Sequence, residues 1–192
     1  MSNCMTMMNI HDILNNRIGL YGYENITNAE SLISYMESQA DRETAVVFDT
    51  DVDVSYVVID AELICNSFHL KSAIYKAHLN ESQSNMKTKS ILTEVIYYLS
   101  PSTKINDSIA QYKMKPSSTM ILILCTPKLS SVDLFFTASI EGSQFDIDQL
   151  DDVKNLHIKR NKLIQYFHVL PSELEIDSLE NCIATRIATK DI

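Results

Sequence analysis

The chain has 192 residues, 45% of them hydrophobic, and a formal net charge of −9. A chain of this size is most simply one domain, can bury roughly 70% of its unfolded surface, and is too apolar to stay disordered. The acidic balance argues against a free-standing nucleic-acid binder, which needs a basic face to displace counterions from phosphates, but it leaves room for RNA contact within a larger basic assembly.

Residues 1–16 are polar and rich in Met, and read as a flexible extension ahead of a single domain over 17–192. They lack a basic start followed by a long apolar run, so no signal peptide is expected. The longest apolar run is far shorter than the ~20 residues a membrane span needs. Residues 17–21 alternate Ile18 and Leu20 inward as a first strand. Residues 28–38 suit a helix, with Asn28 as its cap and Leu32, Ile33 and Met36 facing in. Residues 37–53 set Glu37, Asp41, Glu43, Asp49, Asp51 and Asp53 against Arg42. This reads as a solvated acidic insertion near 38–54, with a β-hairpin at 45–48. A calcium loop at Asp49, Asp51 and Asp53 is disfavoured, because the turn glycine and closing glutamate are missing.

A strand is predicted over 54–59, then a helix over 67–79 with Leu70, Ala73, Ile74 and Ala77 on one face. Residues 80–85 form a polar loop. The next helix puts Ile91, Leu92, Val95, Ile96 and Leu99 on its apolar face, and Thr88, Lys89, Thr93, Glu94 and Tyr97 largely on the other side. Pro101 stops it near Leu99. Ser102 and Thr103 are caps for a following helix, Asp107 suits its first turn, and Ile105, Ile109 and Tyr112 make its buried stripe. Lys87, Lys89, Lys104, Lys113 and Lys115 bring positive charge to this unit, although each lysine alone also suits a solvated face.

Residues 119–125 are apolar on both faces and read as the central strand. A helix over 131–140, a turn at Glu141 and Gly142, an edge strand over 144–147 and a helix over 159–169 follow. Pro171 opens the approach to a last helix over 177–189, capped by Asp177 or Ser178, with Leu179, Cys182, Ile183 and Ile187 as its stripe. The fold class is mixed α/β: a small mixed β-sheet surrounded by helices.

Nothing in the chain reads as an active site. With three glycines, neither GxGxxG nor a P-loop can be written, and GxSxG and HExxH are absent. His11, His69, His78, His157 and His168 are scattered. Cys4, Cys65, Cys125 and Cys182 have no zinc-ligand spacing and read as free thiols of a reducing compartment. No carboxylate stands inside an apolar pattern where burial would tune it for acid–base work. Catalytic residues, metal and cofactor are therefore expected to be none. Two rival classes stay open. A small-molecule or catalytic α/β domain would show a deep pocket with converging polar groups. An independent RNA-binding module would bind RNA alone, with strong salt dependence.

Several stretches carry a family pattern in order and spacing: Ser72-Ala73-Ile74-Tyr75-Lys76, Lys87-Thr88-Lys89, Thr93-Glu94-Val95-Ile96, Leu99-Ser100-Pro101, residues 105–109, residues 120–124, and residues 182–191 ending in Thr189-Lys190-Asp191. Together they resemble the TPRKB family, the small kinase-binding subunit of the KEOPS (EKC) complex. The resemblance runs from about Ile18 to the C-terminus, apart from the acidic insertion. It implies the same α/β architecture and an adapter rather than an enzyme. Such a subunit binds and supports the small atypical PRPK-like kinase, joins the other KEOPS subunits through it, and helps recruit tRNA by its acceptor end. Another subunit makes threonylcarbamoyladenosine in tRNAs that decode codons beginning with A. Nuclear and cytoplasmic location goes with that role. A telomere role, ascribed to the complex in some eukaryotes, has no bearing on particular residues here.

On this resemblance the kinase-binding candidates are Ile109, Tyr112, Met114, Thr185, Arg186 and Thr189, on faces of the helix pair and the last helix, with a core role set against the interface role for Ile109 and Tyr112. The tRNA-binding candidates are Lys87, Lys89, Ser100, Ser102 and Lys104, with Tyr97 or Tyr98 as a possible stacking platform set against a core role. Three features depart from the family. Lys89 stands where Arg is usual and gives up the planar fork that suits phosphate. Lys113 stands where Gly often closes the helix, at a cost of ~1–2 kcal/mol if it turns left-handed. The acidic insertion has no family counterpart.

Overall fold

The computed structural model describes residues 18–39, 56–125 and 137–191. The N-terminal extension, the acidic insertion with its hairpin, and most of the helix expected over 131–140 lie outside them, as does Cys4.

Four strands form the sheet: β1 (Gly19–Glu24), β2 (Tyr56–Asp60), β3 (Met120–Cys125) and β4 (Ser143–Phe145), in the order β2-β3-β1-β4. The expected class holds, but all three pairings are antiparallel rather than mixed, because β3 inserts between β1 and β2 and runs against both. Ile121 through Cys125 are buried, as a strand paired on both edges and covered on both faces requires. β1 extends past Tyr21 to Glu24, since β3 pairs with its whole length. Gly22 allows this packing: a Cβ there would stand 2.6 Å from the Phe145 ring of β4.

Seven helices are described: α1 (Ala29–Gln39), α2 (Ser67–Ser82), α3 (Ile91–Leu99), α4 (Ile105–Tyr112), α5 (Val153–Tyr166), α6 (Pro171–Leu174) and α7 (Leu179–Ala188). Asn66 caps α2 by accepting the His69 N–H at 2.8 Å, and Ser178 caps α7 by accepting that of Asn181. Asn28 instead ties the chain to a distant loop, donating to the Ser139 carbonyl and accepting from the Glu141 N–H. α5 begins at Val153, well before residue 159, and ends at Tyr166.

α3 is the central helix. Every residue from Leu92 to Leu99 is buried, so the solvent face expected at Thr93, Glu94 and Tyr97 does not exist. Burial of Leu92, Val95, Ile96 and Leu99 contributes about 1.5–3 kcal/mol per side chain. The far side is covered by the chain's own tail. Lys190 lies 3.5 Å from the Tyr97 ring centroid and donates to the Tyr97 and Ser100 carbonyls, the latter at 2.8 Å. A lysine from the C-terminus thus satisfies carbonyls that α3 leaves open at its end. Burial lowers its pKa to about 7 against the opposing pull of Asp191 and Glu94.

Cys65, Cys125 and Cys182 are buried free thiols, and burial pushes Cys65 up to about 12. They behave as small apolar side chains.

Candidate binding surfaces

The loop before α3 owes its shape to one carboxylate. Glu94 is fully buried and accepts the N–H of Lys87 at both oxygens (3.1 and 3.0 Å), the N–H and hydroxyl of Thr88 (2.9 and 2.8 Å), and the Asn80 amide (3.2 Å). A buried carboxylate needs such a full set of donors. The side chains of Lys87 and Lys89 are left at the surface. Lys104, at the start of α4, meets them across an open cavity of about 560 Å³, shared with Thr88, Ile105, Asn106 and Asp107. The fold therefore gathers three of the candidate tRNA-binding residues in one place.

The two candidate serines behave otherwise. Ser100 has no exposed surface; its hydroxyl oxygen accepts from the Tyr166 hydroxyl (2.9 Å) and the Ser102 N–H (3.0 Å). It cannot touch a nucleic acid, because it lies under the turn that Pro101 forces. Ser102 is half-buried and accepts the Lys104 N–H at 3.1 Å, so it fixes the backbone that presents Lys104. The expected cap at Ser102 or Thr103 does not form. Lys104 is the cap residue, without a side-chain bond, and Ser108 donates back to its carbonyl at 3.1 Å. Tyr97 and Tyr98 are core, so neither offers a stacking face. Lys113 is extended at φ −60°, and no left-handed turn is needed there.

A second surface lies between α2 and α7. Phe68, Ser72, Tyr75 and Leu79 share one face of α2 at helical spacing and line a groove of about 650 Å³ with Ala184, Thr185 and Ala188 of α7. Lys71 and Lys76 also border it. Phe68 is 54% and Tyr75 53% exposed, which is unusual for two aromatics on one helix face. These two were missed from sequence. The signal was there: Phe68, Tyr75 and Leu79 fall off the core stripe of Leu70, Ala73, Ile74 and Ala77, and make a second apolar stripe beside it.

The kinase-binding candidates divide. Thr185 lines the groove, and Thr189 is exposed one turn on, donating to the Thr185 carbonyl at 2.8 Å. Arg186 is committed within the chain: its guanidinium forks onto both oxygens of Glu173 (3.1 and 2.9 Å) and donates to the His168 carbonyl (3.0 Å), clamping α6 to α7. That hydrogen-bonded pair holds the Glu173 carboxyl below its usual range. Ile109, Tyr112 and Met114 are buried and offer no surface. α4 packs on α3, and the Tyr112 hydroxyl donates to the Leu99 carbonyl at 2.6 Å.

Among the described residues, no group of three His, Cys, Asp or Glu side chains could hold a metal ion. No helix there is long and apolar enough to cross a membrane.

A family model described as "Kinase binding protein CGI-121" matches residues 23–191. The chain belongs to the CGI-121 family. Among its relatives, the EKC/KEOPS complex subunit cgi121 of Schizosaccharomyces pombe is 27% identical over 178 residues, covering 90% of this chain and 91% of its own. The EKC/KEOPS complex subunit TPRKB of Danio rerio is 23% identical over 143 residues, covering 73% and 79%. The Aspergillus fumigatus subunit cgi121 is 30% identical over 98 residues, covering 48% and 52%. The lysine cavity and the α2–α7 groove both lie within the part of the chain that the CGI-121 model matches.

Proposed function

We propose that this chain is a non-catalytic adapter subunit of an EKC/KEOPS complex. The α2–α7 groove binds the complex's PRPK-like kinase and supports it. The cavity of Lys87, Lys89 and Lys104 contacts the tRNA acceptor end, during threonylcarbamoyladenosine modification carried out by another subunit. One observation carries the reading: an exposed aromatic pair, Phe68 and Tyr75, in an apolar groove of a chain whose family is described as kinase binding. Aromatic anchors beside small residues are the usual centre of a protein interface. Three lysines suit a phosphate backbone, and in a chain of net charge −9 they work as one part of a larger basic surface.

The test is size-exclusion chromatography with light scattering on the chain plus the kinase from the same source. Tyr75→Glu is the better control than Arg186→Glu, because Tyr75 is exposed while Arg186 clamps α6 to α7. A complex at micromolar concentration that Tyr75→Glu abolishes is the expected result. A complex indifferent to Tyr75→Glu moves the interface elsewhere, and no complex ends the adapter reading.

A further inference from the structure

We propose that Tyr98 is a positioning residue that couples the α2–α7 groove to the lysine cavity, so that a partner seated in the groove tightens the lysine loop on a bound polyanion. This rests on the adapter reading above. The two surfaces are joined by an unbroken polar chain through the core. At the groove, Lys76 Nζ lies 3.5 Å from Asp191 Oδ2 and 5.9 Å from the Tyr98 ring centroid. The Tyr98 hydroxyl donates to Asp191 at 2.5 Å and accepts from the Asn80 amide at 2.6 Å. The same Asn80 nitrogen donates to Glu94 at 3.2 Å, and Glu94 holds the backbone of Lys87 and Thr88.

Tyr98 and Glu94 have no exposed surface and Asn80 is 3% exposed. Water cannot replace any of these three, so the state of each is felt by the next. Burial and then the bond to Asp191 keep the Tyr98 phenol protonated, which fixes it as a donor to the tail.

The element with two states is the turn after α7. Lys190 and Asp191 dock it onto α3, through the Tyr97 and Ser100 carbonyls and the Tyr98 hydroxyl. Thr189 and Asp191 are exposed and Lys190 is half-buried, and a turn with so little burial opens at low cost in free energy. Ile187 and Ala188, immediately before this turn, line the groove. A partner packed on the exposed Ala188 holds the docked state, in which Asp191 orients Tyr98, Tyr98 and Glu94 share Asn80, and Glu94 keeps Lys87 and Thr88 in place. By linkage, a polyanion on the lysine loop favours the partner equally.

The experiment is amide hydrogen exchange at Lys87 and Thr88 in the full chain, with and without the kinase, in wild type, Tyr98→Phe and Asp191→Ala. Affinity for an unmodified tRNA transcript is measured in the same six states. In wild type the kinase should slow exchange at both amides about five-fold or more, the lower end of ordinary coupling. Tyr98→Phe keeps the ring, removes the hydroxyl, and should erase the slowing. The gain in tRNA affinity on adding the kinase should shrink by a similar factor, and comparing variants cancels the kinase's own RNA contacts. Asp191→Ala, which removes the acceptor of the Tyr98 hydroxyl, gives the same answer if Tyr98→Phe fails to fold. Kinase binding without slowed exchange overturns the coupling and leaves the adapter reading intact. Equal slowing in all three proteins overturns it too. Absence of kinase binding removes both.

Discussion

His69 Nε2 lies 3.1 Å from the carbonyl oxygen of Leu99, and the ring joins α2 to the end of α3. The Cys65 N–H donates to Nδ1 at 3.1 Å, so Nε2 carries the proton and the imidazole is neutral. Burial lowers its pKa to about 4, against the weaker opposing bond to Leu99. Below the unfolded value near 6.5 the unfolded chain binds the extra proton and the folded chain does not. Stability is therefore complete above pH 6.5 and falls as pH drops toward 4, by about 3 kcal/mol from this group. Urea unfolding at pH 7 and pH 4.5 should show the loss, and His69→Gln should flatten that part of the pH dependence.

Glu94 holds the lysine loop from inside. Glu94→Ala would strand buried donors at Lys87, Thr88 and Asn80. Denaturant titration is expected to show a loss of about 3 kcal/mol or more. Glu94→Gln keeps one acceptor oxygen and should lose clearly less. Equal losses in the two variants would mean that volume, not hydrogen bonding, sets the role.

Arg186→Ala should free α6 from α7 without emptying the groove. Limited proteolysis is expected to cut faster within 170–177, where Leu170 and Ile176 are already exposed. Kinase binding should persist. Its loss would put Arg186 at the interface after all.

The three lysines should act through charge rather than sequence. With the kinase present, Lys87→Ala, Lys89→Ala and Lys104→Ala combined should weaken tRNA binding and reduce the log-affinity against log-salt slope by about 2–3. An unchanged slope would exclude phosphate contact at this cavity.

The elements with one dominant apolar pattern were legible in sequence. β3 declared itself by burying both faces, and α2 by its Leu70-Ala73-Ile74-Ala77 stripe. The failures share a cause: distant chain covering a face that local pattern assigns to solvent. Glu94 sits on the polar side of α3, and only the folded loop and Asn80 reveal it as buried. Ser100 looked available because its partner, Tyr166, comes from elsewhere in the chain. Lys87, Lys89 and Lys104 were found together because two short helices bring them together locally. Arg186 was singled out as an exposed interface charge on α7, but no sequence pattern signals that Glu173 of α6 holds it within the chain.

The strand order has a consequence for synthesis. β1 and β2 come first in the chain, yet among the described strands neither pairs with the other, and both wait for β3. Until Cys125 has emerged from the ribosome, these two apolar strands lack the one described strand that both pair with. The nascent chain thus carries open, sticky strands until β3 slots between them, and β4, later still in the chain, then covers the other edge of β1.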